Sequence, residues 1–175
     1  MNKQTIALAL LLLATGALLA AGSGSGQSPG RFFDTSQGNL QGELEKAAQA
    51  GKKGVLVMFG LASGCGECEK VKATLLKDPA VQQYYREHFR NLSINVDETG
   101  SIIDFKGRKT TGGEFASTNR VAALPTFIFY DHQGYPVSRF VGAAKDTGEF
   151  LSLGRYVAEA AYEQVPFSAY KQTAQ

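Results

Sequence analysis

From Gly54 to Gly60 the chain is apolar at every side-chain-bearing position, Val55-Leu56-Val57-Met58-Phe59. A continuous run of that length reads as a central strand covered on both faces. Upstream, Leu40, Leu44, Ala47 and Ala48 fall on one face of a helix that Gly51 ends. Downstream, Val71, Leu75 and Leu76 recur at helical spacing among Lys70, Lys72 and Lys77, which predicts a helix running to about Lys77. Asp78-Pro79 restarts the helical pattern, with an N-cap followed by proline at the first helical position. Val81, Tyr84, Tyr85 and His88 carry this piece to Phe89. Residues 91–97 alternate strictly and predict a strand.

The pattern then weakens. A short strand is expected over 101–105, a loop over 110–113 and a short helix over 114–119. Thr126-Phe127-Ile128-Phe129-Tyr130 is β-branched and aromatic, and the turn Asp131-His132-Gln133-Gly134 leads to a return strand over 136–141. A helix over 146–162 closes the order α-β-α-β-(α)-β-β-α, with an extra strand expected near Phe32-Phe33 and no internal repeat. Tyr84, Tyr85, Phe127 and Phe129 read as core.

The N-terminus changes the picture. Lys3 precedes an apolar run from Ile6 to Ala21, and the small residues Ala20-Ala21-Gly22-Ser23 follow. That is the layout of a secretory signal peptide, expected over 1–22. The run is short of the roughly 20 residues of a membrane span, although an uncleaved anchor is the alternative. No cysteine near the cleavage region could take a lipid. A Gly/Ser linker follows over 23–30, then a single domain over 31–175 large enough for a full core without staples. The expected location is the periplasm, and the expected state a monomer. With 18 basic and 16 acidic side chains, the near-balance offers no sign of nucleic-acid or membrane-surface binding.

The only two cysteines stand in Gly64-Cys65-Gly66-Glu67-Cys68-Glu69-Lys70, where the central strand hands over to a helix. Near the helix start, unpaired N–H groups and the macrodipole favour a thiolate on Cys65. Positions i and i+3 share a helix face, so Cys68 can close a disulfide with Cys65. A dithiol placed this way is a redox device. An inert structural disulfide is the plainer reading, but so short a closed loop removes little unfolded-chain entropy. A metal site is the rival use of the same thiolates. Structural zinc needs four ligands and neither His88 nor His132 has a ligand spacing, which leaves Cu(I), a soft ion content with few ligands.

Strand, Cys-x-x-Cys and helix, followed by Val121-Ala122-Ala123-Leu124-Pro125-Thr126 leading into a strand, resemble the thioredoxin superfamily over about 40–162. The implied fold is thioredoxin-like α/β, a central mixed sheet flanked by helices. Within the superfamily, Asp78-Pro79-Ala80-Val81, the long stretch between Val96 and Val121, and Arg155-Tyr156-Val157 continuing to Pro166-Phe167-Ser168-Ala169-Tyr170 resemble the exported SoxW-type proteins of sulfur-oxidation operons. Resemblance to the reducing domains of transmembrane electron-transfer proteins is nearly as good.

The resemblance implies a thiol–disulfide oxidoreductase with Cys65 as nucleophile, Cys68 as the buried resolving thiol, and Leu124 and a cis Pro125 binding an extended substrate. Gly66 and Glu67 inside the motif modulate the thiols. The chain departs from the family in two places. Gly64 stands where a tryptophan usually precedes the first cysteine, and Met58 stands where a buried aspartate usually assists the second. The resemblance implies a protein disulfide as client, of the sulfur-carrier or cytochrome-maturation type, and a membrane electron-transfer protein as reductant, with no cofactor beyond the cysteines. The alternatives are a disulfide-donating oxidase and a Cu(I)- or thiol-binding module without turnover.

Overall fold

Every residue of Gly54–Gly60 is buried in β1, the central strand of a four-stranded sheet in the order β2-β1-β5-β6. The computed structural model describes residues 31–173, so the expected leader over 1–22 and linker over 23–30 lie outside the described residues. Strand β2 (Phe89–Asn95) pairs parallel to β1, with Met58 opposite Ser93. On the other side β5 (Thr126–Tyr130) runs antiparallel to β1, and β6 (Pro136–Val141) antiparallel to β5 as the predicted hairpin. The sheet is therefore mixed, as expected of the fold class.

Alternation along β1 divides the core between the two faces. Leu56 and Met58 join Phe127 and Phe129 on one face, against α2 (Gly66–Ala73), α3 (Pro79–His88) and α5 (Thr147–Ala158). Val55, Val57 and Phe59 join Ile128 and Tyr130 on the other, against α1 (Leu40–Gln49) and α4 (Gly112–Thr118). Each fully buried Leu, Phe or Met contributes about 1.5–3 kcal/mol, so the two layers hold the sheet from both sides. Of the residues expected in the core, Tyr85, Phe127 and Phe129 are sealed, while Tyr84 is half-buried and stacks on His88.

Four local expectations are corrected. The helix after the cysteines stops at Ala73, not Lys77. Thr74 leaves helical geometry and turns its hydroxyl onto the Lys70 carbonyl, and a 3-10 turn over Leu75–Lys77 then buries Leu75 and Leu76. Phe32-Phe33 is not a strand, because Phe32 drops into the core beside Tyr85 and Phe150. The loop expected over 110–113 holds β4 (Lys109–Thr111), which pairs with β3 (Ser101–Ile103) in a separate hairpin. Thr111 and Glu114 cap α4 reciprocally.

The fourth correction concerns the last helix, α5, which ends at Ala158 rather than Tyr162. Ala160 adopts a left-handed conformation there. The chain then turns back as α6 (Phe167–Thr173), where Phe167 and Tyr170 pack on Tyr156. Among the described residues no helix is long and apolar enough to cross a membrane.

Candidate active site

Cys65 is the N-cap of α2. Its backbone is extended (φ −113°, ψ 91°), and its Sγ accepts the Cys68 N–H at 3.3 Å. The strand-to-helix loop reaches this position through Gly64, whose φ of +78° lies in the left-handed region that favours glycine. The glycine standing in the usual tryptophan position thus has a backbone reason of its own. Lys72, one turn beyond Cys68, donates from Nζ to the Leu61 carbonyl at 3.2 Å and ties the helix back to this loop. Nothing points to that tether in the sequence, where Lys72 stands among the lysines between the apolar helical positions.

The two sulfurs are joined (S–S 2.00 Å, Cα–Cα 5.2 Å) but have different surroundings. Cys68 is 0% exposed within the core layer that also holds Met58, whereas Cys65 is only partly buried against it. A Cβ placed on Gly60 would lie 3.4 Å from Cys68 Sγ and 3.6 Å from Met58 Cε, so the thioether and the inner sulfur flank the same point at the end of β1. The position where a proton acceptor was expected is thus apolar and sealed. Glu67 and Glu69 occupy the first turn of α2 and are exposed, with Lys70 Nζ 4.0 Å from Glu67. Gly66 is exposed beside them, with open space around it.

The segment before β5 is the second part of the site. The Leu124–Pro125 peptide is cis, Pro125 is buried, and Leu124 is half-buried against the same core layer as Cys65. Thr126 Oγ1 donates to the Ala123 carbonyl at 2.7 Å, and the Gly142 N–H donates to the Pro125 carbonyl at 2.8 Å, which fixes the segment onto the hairpin. Beside it lies a depression of about 280 Å³ between α4 and residues 121–124. Gly112, whose Cβ would fall 2.3 Å from the Asn95 carbonyl, lets α4 sit this close to the end of β2.

Neither histidine joins the site. His88 contacts the Tyr84 carbonyl through Nδ1, and His132 is exposed in the hairpin turn. Among the described residues no group of three or more His, Cys, Asp or Glu side chains could hold a metal ion.

A family model described as a thioredoxin-like domain matches residues 40–158. Among solved structures, a thioredoxin-fold protein from Helicobacter pylori is similar at 22% identity and a TM-score of 0.61, covering 70% of this chain and 84% of that one. A thioredoxin from Thermus thermophilus is similar at 27% identity and a TM-score of 0.55, covering 73% and 85%. A putative disulphide-isomerase from Bacteroides thetaiotaomicron is similar at 27% identity and a TM-score of 0.56, covering 77% and 98%. No curated protein matches the chain.

Proposed function

The chain belongs to the thioredoxin-like domain family, and from that premise we propose that this thiol–disulfide oxidoreductase works as an exported reductase of disulfides in partner proteins. The observation that carries the reading is the asymmetry of the pair. Cys65 lies at a helix start where a partner can reach it, and Cys68 is sealed where only Cys65 can.

In the reduced protein, the Cys65 thiolate attacks one sulfur of the partner's disulfide. A Cys65–partner bond forms, the partner's S–S bond breaks, and its second sulfur leaves as a thiolate that takes a proton from water. Cys68 then loses its proton and attacks the Cys65 sulfur. The mixed disulfide breaks, the partner's first sulfur leaves as a thiolate that takes up through water the proton Cys68 gave up, and the Cys65–Cys68 disulfide closes. Two electrons and two protons have passed to the partner. A second dithiol, supplied by a membrane electron-transfer protein, returns the enzyme to its reduced form by the reverse exchange.

The direction rests on charge. Strong oxidants of this chemistry stabilise the thiolate of their reduced form. Here Glu67 and Glu69 crowd the helix start with negative charge, opposing what the helix terminus offers. The resemblance to sulfur-oxidation and electron-transfer proteins supports a periplasmic location and a sulfur-carrier or cytochrome-maturation thiol as client.

Brief alkylation of the reduced protein followed by peptide mapping tests the division of labour. Label is expected on Cys65 well before Cys68, and Cys68→Ser should accumulate partner proteins as mixed disulfides on Cys65. Equal labelling, or label on Cys68 first, contradicts the assignment.

A further inference from the structure

Strand β2 is an edge of the sheet, and its outer rungs are only partly used. The Asn91 carbonyl accepts the Asp34 N–H at 2.7 Å, and the Asn91 N–H donates to the Asp34 carboxylate at 2.8 Å. By alternation the next residue facing outward is Ser93. It is exposed, and among the described residues no strand pairs with this side of it.

Ser93 forms one wall of a cleft of about 380 Å³ that runs between the 31–33 segment and the flank of the cysteine helix. Phe33 and Leu76 give the cleft an apolar floor, and Arg31, Lys72 and Lys77 ring it. Among the described residues no carboxylate lines it. Of the two acids adjacent to it in sequence, Asp34 is turned inward onto Asn91 and Arg90, and Asp78 is turned onto the Ala80 and Val81 N–H groups. One wall of the cleft is tied to the active-site loop, since Lys72 donates to the Leu61 carbonyl of the segment that leads to Cys65.

Resting on the reductase reading above, we propose that this cleft docks an extended acidic segment flanking the client's disulfide. Such a segment would add to the open Ser93 rung through its backbone, lay an apolar side chain on Phe33 and Leu76, and set carboxylates against the three cations. Strand addition supplies pairing that is indifferent to side chains, and the charge ring supplies the choice of partner.

The test uses short peptide disulfides as probes, identical except for flanks of Asp and Leu or of Lys and Leu. The rate of each by the reduced protein is divided by the same protein's rate on a small uncharged disulfide. The wild-type protein should favour the acidic flank about tenfold in kcat/KM. The preference should shrink as salt rises from about 0.01 M to about 0.1 M, where the screening length falls from roughly 30 Å to about 10 Å. Arg31→Glu combined with Lys77→Glu should remove or reverse it.

Equal rates on the two peptides, or a preference that survives the double substitution, would overturn the proposal. So would self-association through the cleft, seen as a dimer in sedimentation that the double substitution abolishes. Failure to reduce even the small disulfide would instead strike at the reductase reading, so the two failures are distinguishable.

Discussion

At the scale of single residues, the unusual position is Met58. Its side chain is fully buried, opposite Ser93 across the parallel pair and close to the point that Cys68 Sγ also approaches. Cys68 must lose a proton to resolve the mixed disulfide, and the residue best placed to take it has no basic atom. On the proposed mechanism the acceptor is then water or another acidic side chain. Met58→Asp should speed resolution near neutral pH, read as decay of the mixed disulfide in stopped flow. It should cost at least about 3 kcal/mol of stability, because an acid enters a sealed apolar site. Unchanged resolution would mean that another group already accepts the proton.

Elements follow from short signals, and those signals differ in reach. Asp78-Pro79 was readable as a helix start because both functions are local, and Asp78 does accept from the Ala80 and Val81 N–H groups. Asp78→Ala should cost about 1 kcal/mol, measured by urea unfolding, and should leave the reaction of Cys65 with a small disulfide unaltered. A loss of several kcal/mol would show that the cap does more than satisfy a helix end. The β1 run and the cysteine spacing were equally legible, since burial on both faces and an N-cap sulfur need only neighbours in sequence.

What escaped was tertiary. The short strand expected over 101–105 forms as β3, but nothing in the sequence shows its partner β4 or their pairing, because three residues are too few to carry a period. Phe167 and Tyr170 return to Tyr156 only after a turn through a left-handed Ala160, a conformation that composition does not announce. The Lys72 tether to Leu61 spans 11 residues and has no sequence pattern at all.

Over the whole molecule, charge is buried where it locks distant segments together. Glu43 of α1 is almost wholly buried against Arg90 of β2, and Arg90 also reaches Asp34 at 3.5 Å and the Thr35 carbonyl at 3.1 Å. Asp104 anchors the small hairpin. Burial pushes its carboxyl up, but N–H groups of Arg108 and Lys106 and the Arg108 guanidinium outweigh that and hold it below its ordinary 3.8. Glu149 is held below its ordinary 4.5 by Lys171 of α6 and the Lys145 N–H, against burial. Carboxyls lowered in the folded state contribute stability that is complete above their unfolded values and is lost as pH falls through the folded ones. Asp104→Asn should therefore be less stable than wild type at about pH 7, with the deficit shrinking toward about pH 3. A deficit independent of pH would assign the loss to shape rather than charge.

On the proposed function this pair gives electrons rather than takes them, and one equilibrium reads the direction. The protein is brought to balance with glutathione buffers of graded ratio, and the fraction holding the Cys65–Cys68 disulfide is counted by thiol labelling. With Glu67 and Glu69 at the helix start, the disulfide should persist in buffers that fully reduce a strong oxidant, giving a potential well below roughly −120 mV. A value close to that figure would contradict the account and make the protein a donor of disulfides.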